Sequence, residues 1–498
     1  MTADFSDTSM QPVFSVAGVR AIDKAAIDGG VVGSYALMTR AAQFALDVAV
    51  TEFAGVTEWL VLCGGGNNAG DGYVLARLAL AEGISVNVVE LADPARLRGD
   101  AARARSDFVA EDGRVEPWDG TLEPGSGLLV DAMLGSGLDR DVAGAYRAAV
   151  DALNGYGAPV LALDVPTGLH GDTGAVMGAA INADVTATFV GRKAGLYLGA
   201  GPDNGGRLRY SALGLPASCS AGVQPVMRLV TPSLLQDRLP RRPRQSHKGD
   251  FGHVLVIGGA PGMPGAARLA GEAALKSGAG RVSVATHASS AAVIPAGRPE
   301  LMCHAVDDAA ALAPLLDAAT VIAVGPGLGQ SDWSAMLLAA AEATGKPLVA
   351  DADALNLMAR CPERRGERIV TPHPGEAARL LDSSAAVVQL DRLAALAALK
   401  DRLGGTVVLK GNGTLVSSAD GPPWLNLSGN PGMASAGMGD VLTGIIAGLL
   451  AQGLDPESAA IAGVHVHGCA ADVAASNGGE RGLIASDVLD ELRPWLNP

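Results

Sequence analysis

A glycine-rich segment near the C-terminus combines a helix start with a carboxylate, and this combination suits phosphoryl transfer. Asn430–Gly444 reads NPGMASAGMGDVLTG, and its Ala436–Asp440 part opens a predicted helix. Free N–H groups at such a helix start can stabilise the charge that develops on a transferring phosphoryl group. Because a carboxylate beside a phosphate would otherwise repel it, Asp440 is interpreted as the base that accepts a proton from an attacking hydroxyl. Helix capping by Asp440 is the simpler alternative.

The same half of the chain holds a second glycine-rich segment and four shorter motifs. Gly258, Gly259, Gly262 and Gly265 lie between a predicted strand and a predicted helix, an arrangement that can bind an anion. Neither GxxxxGKS nor GxxxxGKT occurs, so a P-loop nucleotide site is excluded. The shorter motifs are GPGLG at Gly325–Gly329, DADAL at Asp351–Leu355, TPHPGE at Thr371–Glu376 and LKGNGT at Leu409–Thr414.

In the N-terminal half, the clearest motif is the loop Gly64–Gly72, which reads GGGNNAGDG and directly follows an apolar run. Its glycines permit a tight turn and a close approach to a ligand, and the helix that follows favours an anion at its start. The motif differs from the GxGxxG dinucleotide fingerprint, and its two asparagines and its aspartate exceed what a plain turn needs. We therefore expect a ligand site here.

Two further loops place acids where predicted strands end, with Asp131 in VDAMLGSGLDRDV and Asp164 in LDVPTGLHGDTG. Ligands of a parallel α/β sheet bind beyond the carboxyl ends of its strands. Asn68, Asp131, Asp164 and Thr167 could therefore meet in one crevice. Their oxygens are hard ligands, which suit an alkali or alkaline-earth cation better than zinc. Each acid taken alone could equally be a helix cap.

Short apolar runs that alternate with helical periodicity must position these loops, and this alternation predicts βαβ units with mainly parallel sheets. In the N-terminal half, helix is predicted over residues 16–55 and at Tyr73–Ala81, and strands at Trp59–Cys63, Ile84–Leu91, Leu128–Met133 and Val160–Val165. A second series of strands is predicted at Val254–Ile257, Arg281–Ala285, Val321–Val324, Leu348–Ala350, Ile369–Val370 and Val407–Leu409. Helices are predicted at Asp440–Gln452 and Pro456–Ala475.

A cluster of prolines at about residues 216–250 separates the two series. We predict an N-terminal α/β domain over residues 1–225, a Pro/Arg-rich linker over residues 226–244 and a C-terminal α/β domain over residues 245–498. The basic run from Arg238 to Lys248 is interpreted as part of this solvated linker rather than as a nucleic-acid patch.

Composition narrows the class of protein. The chain has 498 residues and a formal net charge of −15, which disfavours binding to nucleic acid through the global field. Its five cysteines are scattered without a CxxC motif, which predicts free thiols rather than a disulfide framework or a zinc site. The N-terminus has no basic segment followed by an apolar one, and no apolar stretch is long enough to span a membrane. We therefore expect a cytoplasmic protein without a membrane partner.

The three N-terminal motifs resemble, in order, those of the NAD(P)HX epimerase domain of the bifunctional NAD(P)H-hydrate repair enzymes, over most of residues 16–225. This resemblance implies a Rossmann-like three-layer α/β/α fold. It implies that Asp164 contacts the substrate and is catalytic, and that Asn68, Asp131 and Thr167 hold a potassium ion. It implies a substrate site lined by Asn67, Asn68, Ala69, Gly70, Asp71, Gly135, Ser136, Gly137, Leu138, Asp139, Arg140 and Asp141. Thr167 stands where the family usually has Ser, and His170 replaces a common Asp.

The second half, over about residues 245–493, resembles the ADP/ATP-dependent NAD(P)H-hydrate dehydratase domain, which has a ribokinase-like fold. TPHPGE, GPGLG and KGNGT make this resemblance more specific than the GxGD motif alone. It implies that Asp440 is catalytic and that Ala267, Gly327, His373 and Asp440 face the hydrated nicotinamide. It implies a nucleotide site formed by Lys410, Gly411, Asn412, Gly413, Thr414 and Gly439. Met438 stands where many relatives have Thr.

Together these resemblances imply repair of hydrated NADH and NADPH. The expected reactions are epimerisation of (R)- and (S)-NAD(P)HX, and dehydration of (S)-NAD(P)HX that releases phosphate and AMP from ADP, or phosphate and ADP from ATP. K⁺ is expected in the first domain, Mg²⁺ in the second, ADP or ATP as co-substrate, and a homo-oligomer as the assembly. The alternative is a ribokinase-type kinase of a vitamin precursor with a non-catalytic N-terminal binding module. The preferences for ADP or ATP and for NADHX or NADPHX stay open.

Overall fold

The computed structural model describes residues 11–122, 127–236 and 238–497. They form two compact units, and the division lies between Met227 and Arg228. The interval 226–244, which the sequence analysis assigns to a linker, contains the strand Met227–Leu229 and the helix Pro232–Gln236. The domain boundaries drawn from the sequence stay a prediction.

The N-terminal unit is built on a seven-stranded sheet in which every neighbouring pair of strands is parallel. Its central strands are buried on both faces, which explains why they read as continuous apolar runs such as LLV at residues 128–130. In spatial order they are Arg114–Pro117, Ser85–Glu90, Glu58–Cys63, Leu128–Ala132, Val160–Leu163, Val185–Phe189 and Arg207–Ser211. The short strand Gln11–Phe14 pairs in parallel with Arg192–Lys193.

The helices of this unit are Val16–Asp28, Ser34–Glu52, Asn67–Ala81, Gly99–Ala110, Gly144–Tyr156 and Gly201–Gly205. The helical region predicted over residues 16–55 thus consists of two helices with a break between them. Gly29 ends the first helix, and Gly30 has a φ of +69°, a left-handed conformation that a helix cannot continue through. The third helix begins at Asn67, so most of the Gly64–Gly72 motif is the first turn of a helix rather than a loop before it.

The sheet of the C-terminal unit contains seven consecutive parallel strands followed by an antiparallel hairpin. The parallel strands, in spatial order, are Met302–Ala305, Arg281–Thr286, His253–Ile257, Val321–Val324, Leu348–Ala350, Arg368–Val370 and Thr406–Leu409. Thr414–Val416 and Trp424–Asn426 form the antiparallel part, and Arg228 and Leu229 pair in parallel with Trp424 and Leu425. The residues between Leu409 and Thr414 consequently form a tight loop at the carboxyl end of a strand.

The longer helices of this unit are Pro264–Lys276, Ala309–Ala318, Asp332–Ala343, Arg392–Leu403, Met438–Ala451 and Pro456–Gly478. The shorter ones are Ala288–Ala291, Ala352–Met358, Pro374–Leu380, Ala385–Leu390, Ala485–Asp490 and Leu492–Trp495.

Pro264–Lys276 and Met438–Ala451 pack backbone to backbone, because Gly444 and Gly448 lie against the carbonyl groups of Ala270 and Ala274. A Cβ atom on Gly444 would lie 2.1 Å from the carbonyl oxygen of Ala270, so glycine is required there.

Each unit encloses its own apolar core, formed by the buried faces of its strands and helices. Within the described residues, no helix combines the length and hydropathy needed to cross a bilayer. All five cysteines are free, as predicted.

Candidate active sites

The N-terminal unit contains a cavity of about 860 Å³ beyond the carboxyl ends of its strands. Most of the residues that the sequence analysis assigned to the substrate site line it, namely Asn67, Asn68, Asp71, Gly135, Ser136, Gly137, Leu138, Asp139, Arg140, Asp141 and Asp164. Ala69 and Gly70 do not line it. Ala69 is fully buried, and a Cβ on Gly70 would lie 2.6 Å from Cε of Met38, so both residues pack the helix against the core.

Asp164 is held in the cavity by backbone strain and by a buried lysine. Its φ is +66°, an uncommon conformation for a non-glycine residue, and its Oδ2 accepts a hydrogen bond of 3.2 Å from the backbone N–H of Ser136. Its Oδ1 lies 2.5 Å from Nζ of Lys193, a side chain that is only 2% exposed. Lys193 also donates to the carbonyl oxygen of Phe189 at 2.6 Å and to Oγ1 of Thr188 at 3.2 Å. These contacts fix the position of the lysine, and among the described residues its direct ion pair is with Asp164.

Two more carboxyl groups share this cavity with the ion pair. Burial, followed by the charge of Asp164, raises the pKa of Asp71 well above its usual value, although Lys193 opposes the shift. Burial also raises the pKa of Asp23 to about 6, against the opposing charge of Lys193. The cavity thus combines Asp164, which has a cation beside it, with two carboxyl groups whose pKa values are raised by burial.

The three residues implied for potassium lie beside the same strand ends. Asp131 is fully buried, and it accepts hydrogen bonds from the backbone N–H of Thr167 at 2.7 Å and from the Thr167 hydroxyl at 2.7 Å. Both amide atoms of Asn68 are buried and have no hydrogen-bond partner. A Cβ on Gly135 would lie 3.2 Å from Cγ of Asn68, so the loop passes directly over this amide. An unpartnered amide oxygen and a buried carboxylate are donors that fit a monovalent cation.

The structure explains His170, for which the sequence offered no role. Its Nδ1 accepts hydrogen bonds of 3.2 Å from the backbone N–H groups of Asp172 and Thr173. Asp172 in turn accepts a bond of 2.6 Å from the backbone N–H of Val16. His170 therefore stabilises the loop after Asp164 in the way an Asp side chain does in a turn.

In the C-terminal unit, Asp440 lies in the first turn of Met438–Ala451, beside a buried ion pair. Nζ of Lys410 donates to Oδ1 of Asp351 at 2.6 Å, and the Thr443 hydroxyl donates to Oδ2 of Asp351 at 2.9 Å. A Cβ on Gly439 would lie 3.2 Å from both Nζ of Lys410 and Oδ2 of Asp351, so this helix start leaves the two charged groups room.

Burial and neighbouring charges shift the pKa values of the ionisable groups at this site. Burial, and then the negative charge of Asp351, raises the pKa of Asp440 to about 7, while Lys410 opposes the shift. Burial also raises the pKa of Glu376 to about 7. Burial disfavours the charged form of Lys410, but the negative charges of Asp351 and Glu376 outweigh the effect of burial, so the pKa of Lys410 is raised. Asp440 is therefore poised to exchange a proton near neutral pH.

The loop Lys410–Thr414 is held in place by hydrogen bonds from Arg392, which is 3% exposed. Nη2 of Arg392 donates to the carbonyl oxygens of Leu409, Lys410 and Gly413 at 3.1, 3.3 and 3.2 Å. Gly411 has a φ of +141°, and a Cβ there would lie 2.9 Å from Nη1 of Arg392. The guanidinium thus sets the shape of the loop that was predicted to bind the nucleotide.

The other predicted residues of this half have mainly structural contacts. Nδ1 of His373 accepts a hydrogen bond of 3.0 Å from the backbone N–H of Gly375, and Glu376 accepts one of 2.8 Å from the backbone N–H of His373, so the two form a capping box. The His373 side chain is nevertheless 51% exposed. Ala267 is fully buried, and Gly327 has a φ of +58°. Their assignments to the substrate site stay predictions.

Sequence reasoning missed several residues that hold these sites together: Asp23, Lys193, Asp351, Glu376 and Arg392. Asp351 and Glu376 stand inside the DADAL and TPHPGE motifs, where only their role went unassigned. A signal for Lys193 was available, because it is a lone lysine within a mainly apolar stretch, residues 185–201. No signal marks Arg392, since its hydrogen bonds go to the backbone of a distant loop.

Both halves of the chain are similar to known protein families. A family model described as YjeF-related protein N-terminus matches residues 34–195, and one described as NAD(P)H-hydrate dehydratase matches residues 254–494. A solved structure of a ribokinase-like superfamily protein from Enterococcus faecalis is similar at a TM-score of 0.50 and 32% identity, covering 54% of this chain and 95% of that one. These matches confirm the predicted fold class.

Two curated relatives extend over nearly the whole chain. The protein from Coxiella burnetii named bifunctional NAD(P)H-hydrate repair enzyme Nnr is 46% identical, over 96% of this chain and 98% of its own length. The protein of the same name from Escherichia coli is 44% identical, over 93% of this chain and 90% of its own. The chain therefore belongs to the family of bifunctional NAD(P)H-hydrate repair enzymes.

Proposed function

We propose that the N-terminal unit epimerises (R)- and (S)-NAD(P)HX and that the C-terminal unit dehydrates (S)-NAD(P)HX at the expense of ADP or ATP. Hydration places a hydroxyl on C6 of the reduced nicotinamide and removes the double bond that its hydride chemistry needs. A step selective for one C6 epimer leaves the other epimer behind. An epimerase on the same chain converts the remaining (R) epimer into the (S) epimer that the dehydratase uses.

At the N-terminal site, epimerisation requires the C6 hydroxyl to leave and to return on the opposite face. A proton from Asp71 allows the hydroxyl to leave as water, while the lone pair of the ring nitrogen supplies electrons to C6. Water then adds to the other face and gives its proton to a carboxylate of the cavity, for which Asp164 beside Lys193 is the candidate. The raised pKa of Asp71 supports its role as the acid.

Potassium is the cation that the Asn68, Asp131 and Thr167 oxygens would hold. Bound there, it would supply positive charge that holds the strand-end loops of Asp131 and Thr167 in place. The unpartnered amide of Asn68 supports this assignment, because burying both of its polar atoms without a partner is otherwise costly.

At the C-terminal site, dehydration requires a better leaving group than hydroxide. Asp440 accepts the proton of the C6 hydroxyl as its oxygen attacks the terminal phosphorus of the nucleotide, and the bond to the leaving nucleotide phosphate breaks. Backbone N–H groups at the helix start around Gly439 stabilise the charge on the transferred phosphoryl group. Phosphate then leaves C6, assisted by the lone pair of the ring nitrogen, and loss of a proton from C5 to solvent restores the C5–C6 double bond of NAD(P)H.

The nucleotide phosphates are assigned to Lys410 and the loop Gly411–Thr414. The described residues contain no group of three or more His, Cys, Asp and Glu side chains able to hold a metal on their own. Mg²⁺ would therefore arrive on the nucleotide, whose phosphates supply most of its ligands, and would neutralise phosphate charge. Lys410, already fixed by Asp351, adds a positive charge from the protein.

The observation that carries this proposal is the position of Asp440, at a helix start beside a buried lysine and with a pKa near 7. We expect Asp440→Asn to lower kcat for dehydration of (S)-NADHX about 10²- to 10⁴-fold, the usual contribution of a general base. Return of the reduced-nicotinamide absorbance, with release of inorganic phosphate, measures this rate.

Asp332→Asn is the matched control, because Asp332 also lies in the first turn of a helix, Asp332–Ala343, but at the surface. Epimerisation should persist in Asp440→Asn. Near-wild-type dehydration by that variant would remove Asp440 from its role, and a stable phosphorylated product in the wild type would indicate a kinase instead.

A further inference from the structure

A second large cavity lies within the C-terminal unit, at the end opposite the catalytic site. It has a volume of about 1030 Å³ and is lined by the Arg238–Pro243 segment, by the ends of the helices Pro264–Lys276 and Met438–Ala451, and by Arg493. Asp440 lies at the start of Met438–Ala451, and Gln452 follows its end. A helix of 14 residues is about 20 Å long, so this cavity is separate from the catalytic site.

Charge in this cavity is strongly unbalanced. Five cationic side chains line it: Arg238, Arg241, Arg242, Lys276 and Arg493. Among the described residues, the carboxylates that line it are Asp250 and Asp455, and each accepts a hydrogen bond from a backbone N–H at a helix start, of His247 at 2.8 Å and of Ser458 at 2.9 Å. A positive cavity of this kind is unexpected in a chain with a net charge of −15.

Two of the five cations already have structural roles. Arg242 donates to the carbonyl oxygen of Gly278 at 2.7 Å, and its guanidinium lies 3.7 Å from the centre of the Phe251 ring. Lys276 pairs with Asp490 at 2.7 Å. These contacts fix the walls of the cavity.

The remaining three, Arg238, Arg241 and Arg493, have guanidinium N–H groups without a partner among the described residues, and the guanidinium of Arg238 also lies 5.7 Å from the centre of the Trp424 ring. Nη1 of Arg238 is buried without a hydrogen-bond partner. In the part of the chain that the structure describes, the side chains of Arg241 and Arg493 form no hydrogen bond or ion pair. A guanidinium binds phosphate oxygens through paired N–H groups, so three of them around one cavity favour a ligand with more than one phosphate. The volume is that of a site for a nucleotide-sized molecule.

We propose that this cavity binds a small molecule with a phosphoanhydride group, either a nucleotide or free pyrophosphate, at a site distinct from the catalytic one. The basic run that the sequence analysis interpreted as a solvated linker supplies three of its cations, Arg238, Arg241 and Arg242. The proposal is independent of the assignments at Asp440.

Hydrogen–deuterium exchange of the full chain, with pyrophosphate and with ATP, tests this site directly. We expect both probes to slow exchange in residues 238–244, 452–458 and 489–497. Arg241→Gln and Arg493→Gln should each raise the probe concentration needed for half protection about tenfold. Arg244→Gln is the matched control, since this exposed arginine of the same segment does not line the cavity, and it should leave protection unchanged.

The two probes separate the sources of the phosphate. Protection by pyrophosphate alone or by both probes supports a site for the phosphoanhydride itself, and protection by ATP alone supports a nucleotide site. ATP should also protect residues 410–414 in every variant, which shows that each variant is folded and that its catalytic site is intact. The proposal would be overturned if millimolar probe did not protect residues 238–244 and 489–497. It would also be overturned if protection in Arg241→Gln and in Arg493→Gln equalled that in the wild type.

Discussion

Single residues decide the protonation state of the C-terminal site. Asp440 is surrounded by a carboxylate, Asp351, and an ammonium group, Lys410, that are already paired with each other. The pair leaves little net charge to favour ionisation of Asp440, so burial dominates and its pKa rises to about 7. A base with this pKa is half ionised at neutral pH, and it can accept the proton of the hydroxyl as the hydroxyl oxygen bonds to phosphorus.

The pH dependence of dehydration should follow this group. Asp440 must be ionised to act as a base, so we expect kcat/KM to fall with decreasing pH below about 7, approaching tenfold per pH unit. Steady-state rates between pH 5 and 9, with the nucleotide varied, measure this. Glu376 has a similarly raised pKa, and Glu376→Gln should keep the acid limb if Asp440 is responsible for it. A flat profile in the wild type, or a limb that disappears with Glu376→Gln, would contradict the assignment.

Lys193 has a corresponding role at the N-terminal site, as the residue that positions Asp164. We expect Lys193→Met to lower epimerase kcat about 100-fold, because three carboxyl groups would then share a cavity without their cation. The alkaline limb of the epimerase pH profile should move to higher pH, because Asp71 must keep its proton to act as the acid and Lys193 lowers its pKa. Exchange between the two epimers, followed by NMR, measures both effects.

Lys24→Met is the control for this variant, because Lys24 is an exposed lysine of the same unit, paired only with Asp28 on its own helix. Dehydration of (S)-NADHX should be normal in both variants. A reduced rate with an unmoved pH profile would mean that Lys193 supports the fold alone.

At the scale of elements, the loop Lys410–Thr414 depends on the helix Arg392–Leu403 through one guanidinium. We expect Arg392→Met to raise the KM for the nucleotide about tenfold, because the loop loses hydrogen bonds from a charged donor to three carbonyl oxygens. Arg402→Met on the same helix removes an arginine that pairs at the surface with Asp382, and it should leave the KM unchanged. An unaltered KM in Arg392→Met would separate the loop from nucleotide binding.

Elements with continuous apolar runs could be predicted from the sequence, and Val321–Val324 and Leu348–Ala350 match the structure residue for residue. Strands with mixed composition could not. Arg207–Ser211 reads RLRYS at an edge of its sheet, where one side meets solvent and the apolar signal is lost. The hairpin strands Thr414–Val416 and Trp424–Asn426 are only three residues long, too short for a periodic pattern.

The residues of the two candidate sites also differ in how far the sequence could reveal them. Motif residues such as Asn68 and Asp164 could be proposed from the sequence because glycine-rich loops at strand ends are typical of ligand sites, and both residues line one cavity. Their partners were missed because pairing is a property of the folded chain. Lys410 and Asp351 lie 59 positions apart, and only the order of strands in the sheet brings them to 2.6 Å.

For the whole molecule, the presence of two units with separate sites has a measurable outcome. Asp164→Ala should convert only the (S) part of an epimer mixture, and Asp440→Asn should convert none of it. An equimolar mixture of the two variants should convert all of it, because the epimers are small molecules that can diffuse between chains. Absorbance at the reduced-nicotinamide band gives the final yield. Persistent (R) epimer in the mixed sample would mean that substrate passes only within one chain.

The close packing of Gly444 and Gly448 against the neighbouring helix limits how the dehydratase site can move. We expect the close contact of these glycines with the carbonyl groups of Ala270 and Ala274 to resist sliding of Met438–Ala451 along Pro264–Lys276, which would hold Asp440 in place during a catalytic cycle. Binding of the nucleotide and release of its products would then depend on movement of the loops, above all Lys410–Thr414, and not on movement of the two helices.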